Sequence, residues 1–449
     1  MTARRTVDTA ADHAATTAAP APARVGYGEL LRTPGAWTFL SPALVARLPY
    51  AMLSMGILLL VTQTHGSYGT AGTVTAVAAV AQALIGPQTG RLADRYGQAA
   101  VLVPSVLVHA AAVGALIALA LGHAPAWILF LIAVPAGASV PQVGAMVRAR
   151  WVARFTADGA SEASAARVST AFAFESVTDE FTFVIGPILA SGIAALASPA
   201  TALVAEAALT VVGGLAFAAQ RRTAPARIVP EPGTRRASAL ASPGVRLLAG
   251  TFLGVGAVFG GMQVSVNAFA DSVGQHAAGG TVYGIFAGGS MLAGVLYGVI
   301  AWRRPVQQRM LISYALLVLG CSVLWAMPNL VALTVAGLTC GLAIAPTLIS
   351  GYTLVETLVA DGAKTEAFTW LTGAIGLGLA VGSMAAGRLI DGHGPSTGFL
   401  VPLAGAGAGL IVLVSLRHLL VAPGRGAAGT GAAAAQHGGA GRLVGAAEG

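Results

Sequence analysis

Twelve mostly apolar runs of about 20 residues or more, each closed by a short polar turn, make up most of this chain. They fall at residues 37–62, 69–89, 99–121, 125–147, 170–196, 199–219, 246–270, 280–302, 309–327, 329–355, 367–387 and 397–421. A helix rising 1.5 Å per residue needs about 20 residues to cross a hydrocarbon core of about 30 Å, so every run is long enough to span a bilayer. Only 9% of the 449 residues are charged and the mean hydropathy is +0.77. Soluble domains carry roughly a quarter charged residues, which excludes an ordinary soluble enzyme. The fold class expected is all-α integral membrane, with 12 transmembrane helices in two pseudo-symmetric six-helix bundles.

The arginines test this division, because basic residues collect in the cytoplasmic loops. With the N-terminus inside, the inner segments hold Arg4, Arg5, Arg24 and Arg32, then Arg91 and Arg95, then Arg148, Arg150, Arg154 and Arg167. The central linker holds six arginines and four prolines over 220–246, and the later inner segments hold Arg303, Arg304, Arg309, Lys364, Arg417, Arg425 and Arg442. Only Arg47, inside a span, and Arg388, at an outer turn, depart from the alternation. The excess charge of +8 therefore reports topology and implies no nucleic-acid partner. Both termini are expected in the cytoplasm, in a multi-pass protein of the cell membrane.

The expected organisation is a disordered cytoplasmic tail at 1–32, an N-terminal bundle at 33–220, a cytoplasmic linker at 221–245, a C-terminal bundle at 246–421 and a Gly/Ala-rich tail at 422–449. The first segment lacks the apolar core of a secretory signal. Two short echoes relate the halves: Tyr68-Gly69 with Tyr283-Gly284, and Ala157-Asp158-Gly159 with Ala360-Asp361-Gly362. Cys321 and Cys340 sit singly in apolar runs, without a disulfide or metal-ligand pattern. No Walker-type loop, HExxH or Ser/His/Asp constellation is present. The expectation is a protein that is no enzyme, holds no cofactor or metal and works as a monomer in lipid.

Ionisable groups at membrane depth each require a partner, a wet cavity or a function. Arg47 lies about 15 Å into the first span if helical. Glu175 and Asp179 are four residues apart and share a face of the fifth span, at comparable depth, while Glu180 points about 100° away. Arg47 can pair with either acid. One reading is a proton-coupling site in which substrate and proton compete for a carboxylate, and the other is a static ion pair. For Glu206 and His109 a locally paired acid and a hydrogen-bonded packing histidine are expected.

After the second span the chain reads Gly90-Arg91-Leu92-Ala93-Asp94-Arg95-Tyr96-Gly97. This resembles the loop signature G-x-L-x-D-R-x-G of the major facilitator superfamily. The resemblance implies a conformational latch, formed by Gly90, Asp94, Arg95 and Gly97, between spans two and eleven. The basic pair that usually follows is replaced by Gln98-Ala99, which implies a weaker latch. Gly387-Arg388-Leu389-Ile390-Asp391 is similar, but topology places it outside, where it is expected to be a turn. In span five, Gly186-Pro187-Ile188-Leu189-Ala190-Ser191-Gly192 partly resembles the bend motif of the drug:proton antiporter groups, with Gly186 and Pro187 as the bend; a generic packing face of small residues fits it equally.

The family also implies a cavity lined by spans one, four, seven and ten. Its polar and aromatic candidates are Tyr50, Gln142, Gln263, Asn267 and Tyr352, with inter-helix hydrogen bonding as the alternative role. Span four lacks the family's usual membrane-embedded arginine, a role Arg47 can take. The function expected is secondary active transport by alternating access, as proton-coupled efflux of a small amphipathic organic molecule. A symporter or facilitator for a sugar-like nutrient is the first alternative, and a non-transporting sensor of the same fold the second.

Overall fold

The computed structural model describes residues 27–420 except 158, 160, 227–238, 301 and 360–363. Residues 1–26 and 421–449 of the tails, the middle of the linker and the Asp158 and Asp361 echo therefore lie outside the described residues, whereas Tyr27–Leu31, expected within the disordered tail, form a short helix with Leu30 buried. Among the described residues, twelve spans are long and apolar enough to cross a membrane. We number them α1 (Ala36–His65), α2 (Tyr68–Tyr96), α3 (Gln98–Leu121), α4a (Ala126–Ala138) with α4b (Val143–Thr156), α5 (Glu162–Leu196) and α6 (Pro199–Ala219). The second half comprises α7 (Pro243–Ser272), α8 (Ala278–Val299), α9 (Val306–Leu324), α10a (Leu330–Gly341) with α10b (Ile344–Leu358), α11 (Lys364–His393) and α12 (Leu400–Ser415).

The turns between helices are written in the local sequence. Gly66 ends α1 at φ 66°, a conformation that favours glycine, and Ser67 then caps α2 by accepting the Thr70 N–H at 2.9 Å. Ser198 and Asn329 cap α6 and α10a in the same way. Gly97, at φ 97°, lets α2 run into α3 with no intervening loop.

Spans four and ten, expected as continuous apolar runs, are each broken in the middle. In span four, Pro141 cannot donate to the ladder, and Ser139 turns its hydroxyl onto the Pro135 carbonyl. In span ten the break follows Gly341, and Pro346 sits in the first turn of α10b, where a missing N–H is tolerated. The glycine ahead of each break does the same work in its own half. A Cβ at Gly137 would collide with the Ala78 backbone of α2, and one at Gly341 with the Phe286 backbone of α8. Equivalent breaks with equivalent glycine contacts relate the two halves more firmly than the sequence echoes.

The two central helices, α1 and α7, carry the largest buried shares, 67% and 78% of their most apolar windows. Within the first half α1 packs on α2, α5 and α6, and within the second α7 packs on α11 and α12. The halves meet along two seams, α2 with α11 and α5 with α8. Loops at 66–67, 122–125, 197–198 and 273–277 lie at one end, here called the distal end; the basic turns at 91–95 and 303–304 lie at the other, the arginine end.

Candidate functional site

The site is built on three helices of the first half. Glu175 of α5 is fully buried, and Arg47 of α1 places Nη2 2.5 Å from its Oε2. Trp151 of α4b donates its indole N–H to Oε1 at 2.7 Å, so both carboxylate oxygens are engaged. Arg47 Nη1 lies 3.5 Å from Asp179 Oδ1, one turn further along α5. Arg148 of α4b holds the other oxygen, Oδ2, at 2.8 Å. The result is a chain of alternating charge, Glu175–Arg47–Asp179–Arg148. Its Glu175 end is sealed in protein, while Asp179 is 35% exposed and Arg148 28%.

Such a buried carboxylate persists only when the opposite charge and hydrogen bonds replace its lost water. The Arg47 pairing expected from helical spacing is thus formed with both acids. The Arg148 and Trp151 partners were not expected. Neither leaves a signal in sequence, because both arise from the direction α4b takes after the break in span four.

The aromatic candidates border the same space. Tyr50, one helical step from Arg47, is half-exposed and meets Phe183 of α5 edge-on at 5.7 Å. Tyr352 of α10b rests between Phe252 and Phe368, at 5.1 and 5.7 Å, with its hydroxyl 3.4 Å from that of Thr372. Gln142 donates to the Val140 carbonyl at 3.2 Å and packs on Gly86 of α2, so its amide serves the break in span four.

Gln263 and Asn267 take part in inter-helix hydrogen bonding. Both are buried in the α1–α7 contact. Gln263 donates to Ser54 Oγ at 2.9 Å, and Asn267 donates to the Gln263 carbonyl at 2.7 Å with Met55 Sδ at 3.4 Å. These bonds join the two halves.

Further contacts between the halves fall toward the distal end. Asp391, at the end of α11, accepts from Ser67 Oγ at 2.7 Å and from the backbone N–H groups of Tyr68 and Gly69 at 2.9 and 2.8 Å. The Tyr68 hydroxyl donates to Asp271 of α7, whose other oxygen lies 2.7 Å from His276 Nδ1. Gly72 meets the backbone of Ser383, and Gly387 that of Tyr68, with no room for a Cβ. In the second seam Gly280 packs on Pro187 and Ser191, and Gly284 on Val184 and Ile188. Gly186 packs against Ala51 of α1, so the span-five bend residues serve two close approaches.

Gly90, Gly288, Gly298 and Gly373 each face open space. Arg91, Leu92, Asp94 and Arg95 are exposed, and Asp94 has no hydrogen-bond or ion-pair partner among the described residues. Arg95 lies over the ring of Tyr96 at 5.3 Å. The latch residues are therefore apart from α11 in this conformation. The Gly387–Asp391 copy, expected as a plain turn, is the one that is seated.

Three polar groups outside this space have structural partners. His109 bridges the Ala136 carbonyl, ahead of the span-four break, and Glu206 Oε1, each at 2.9 Å, and Thr210 adds a bond to the same oxygen. Arg150 is buried against the end of α6, donating to the Phe217 and Gln220 carbonyls at 3.1 Å, with its guanidinium 3.7 Å above the Phe217 ring. It completes the carbonyl end of that helix dipole.

A search of curated proteins gives no match. Among solved structures the chain resembles the nucleoside transporter NupG, with a TM-score of 0.63 at 15% identity, over 85% of this chain and 98% of that one. It also resembles the POT family transporter PepTSo, with a TM-score of 0.62 at 12% identity over 86% and 97%, and an auto inhibited POT family peptide transporter at 0.60 and 13% over 86% and 96%. At such identity these likenesses show the fold alone. The family model of the Major Facilitator Superfamily matches residues 38–366, and with that match the chain belongs to the Major Facilitator Superfamily and is a transporter of its type.

Proposed function

We propose that the protein is a proton-coupled secondary transporter that exports a small amphipathic organic molecule by alternating access. The observation that carries this reading is the chain Glu175–Arg47–Asp179–Arg148, fully buried at Glu175 and partly exposed at Asp179 and Arg148. A purely structural ion pair has no need of that exposed end. Protonation of Asp179 frees Arg148 and Arg47 from it, and a substrate that reorganises these pairs then couples its own binding to a proton.

By the positive-inside rule the arginine end is cytoplasmic, so this conformation is open inward. The space carries aromatic faces at Tyr50, Phe183 and Tyr352, which suit a molecule with both apolar and polar parts. Closure of the inner side brings Gly90, Asp94, Arg95 and Gly97 against the start of α11, where a carboxylate is favoured. Uptake of a polar nutrient is the second reading, supported by likeness to proteins named as nucleoside and peptide transporters.

The deciding experiment uses energised inverted vesicles with a pH-sensitive dye, adding amphiphiles, nucleosides, peptides and sugars one at a time. Efflux coupled to protons predicts a compound-dependent collapse of the acid-inside gradient, lost in an Asp179→Asn/Glu175→Gln double variant. Solute movement without a proton signal would sink the coupling, and proton movement in the same direction as solute would establish the nutrient reading.

A further inference from the structure

The chain has two cysteines, 19 residues apart in sequence, and the fold brings them together. Cys321 of α9 and Cys340 of α10a are free thiols, both fully buried, with their Sγ atoms 3.6 Å apart. Gly320 makes the meeting possible. A Cβ there would lie 2.9 Å from the Cys340 Cα and 3.1 Å from its Cβ, so only a residue without a side chain lets the two helices approach this closely.

Among the described residues each sulfur has the other as its hydrogen-bond partner, and no His, Asp or Glu side chain joins them into a metal-binding group. A disulfide has an S–S length of about 2.05 Å, so closure takes about 0.8 Å of movement from each sulfur, within the reach of a small side-chain rotation. The neighbours Leu319 and Val323 on α9 and Leu338 and Thr339 on α10a are exposed. The thiols thus lie one side chain beneath the surface that these helices turn to lipid. A charged aqueous reagent is kept out there, and a neutral lipid-soluble one is concentrated beside the pair.

Span ten breaks directly after this point. Cys340 is followed by Gly341, which packs on the Phe286 backbone of α8, and the chain then re-enters a helix as α10b, the segment that carries Tyr352. A covalent bond from Cys340 to α9 fixes α10a on one side of the break. It leaves α10b free to pivot on the other.

We propose that Cys321 and Cys340 are a reversible modification site, a dithiol that a neutral, lipid-soluble organic disulfide oxidises to an intramembrane disulfide anchoring α10a to α9. One sulfur attacks the reagent and forms a mixed disulfide, its proton leaving with the first released thiol. The other sulfur then attacks the first, expels the second half of the reagent together with the remaining proton, and completes the Cys321–Cys340 bond. Two cysteine thiols are oxidised, one reagent disulfide is reduced to two thiols, and excess thiol reverses the exchange. The site needs neither proton coupling nor a transported substrate.

The test treats the purified full-length protein with dipyridyl disulfide and follows released thiopyridone, intact mass and thermal unfolding. Two thiopyridones should be released per protein with no pyridyl group retained, leaving a mass lower by the two thiol hydrogens and restored by dithiothreitol. The oxidised protein should melt several degrees above the reduced one, because the bond restricts the unfolded chain, and Cys340→Ser given the same treatment should show no rise. Two retained pyridyl groups, a disulfide-linked dimer, release only after denaturation, equal melting temperatures of the two forms, or the same rise in Cys340→Ser would each overturn the proposal. The stoichiometry and its reversal in the wild type decide the matter even if the Ser variant fails to fold.

Discussion

The carboxylate of Asp391 accepts the backbone N–H of Gly69 at 2.8 Å, tying the last turn of α11 in one half to the first turn of α2 in the other. Together with Ser67 Oγ and the Tyr68 N–H it satisfies free donors at the start of α2, where the helix dipole favours negative charge. Asp391→Asn keeps the shape and removes the charge. It should weaken distal closure by about 1–2 kcal/mol, or roughly tenfold in population. The check is labelling of a Ser383→Cys reporter, buried in this seam, by a membrane-impermeant maleimide from the distal side. An unchanged rate in Asp391→Asn would show that closure does not depend on this contact.

Glu175 and Asp179 differ sharply in exposure, 0% against 35%, although both pair with Arg47. Glu175→Gln should therefore lower thermal stability in detergent far more than Asp179→Asn, by about 3–5 kcal/mol, because it removes the nearer, fully buried counter-charge of Arg47 and leaves it only Asp179 at 3.5 Å. Combining it with Arg47→Gln should recover part of the loss. Equal melting temperatures for the two single variants would show that burial does not set the strength of this network.

Arg150 binds two carbonyls at the end of α6, the Gln98 side chain and the Phe217 ring at once. Lysine carries the charge but not the planar fork, so Arg150→Lys should cost about 2–3 kcal/mol. Thermal unfolding of the purified protein measures this. A variant as stable as wild type would reduce Arg150 to a simple counter-charge for the helix end.

Asp94 is exposed and unpartnered among the described residues, so Asp94→Ala should leave stability within about 0.5 kcal/mol. It should nonetheless slow turnover in vesicles if the carboxylate is needed when the inner side closes. Full turnover in the variant would remove the latch from the cycle.

The spans were legible because about 20 consecutive apolar residues and alternating arginines are requirements of the bilayer itself. The Arg47–Glu175–Asp179 grouping was legible because spacing of four sets a shared helix face and span length sets depth. What the sequence did not show depends on how separate helices meet. Arg148 reaches Asp179, and Trp151 reaches Glu175, only because α4b changes course after Pro141. Gln263 and Asn267, four residues apart, share a face of α7. Whether that face met solvent or Ser54 and Met55 depended on which end of the molecule was closed.

The pattern Gly-Arg-Leu-x-Asp stands at the end of α2, as Gly90–Asp94, and at the end of α11, as Gly387–Asp391, on two antiparallel helices that pack together. In this conformation one copy is docked and the other is idle. Rods that rock against each other seat one end at a time, so the resting bias is the difference between two similar energies and stays small. A tenfold swing between the two faces then takes only about 1.4 kcal/mol, less than a single strong ion pair releases, and a modest gradient is enough to drive such a seesaw either way.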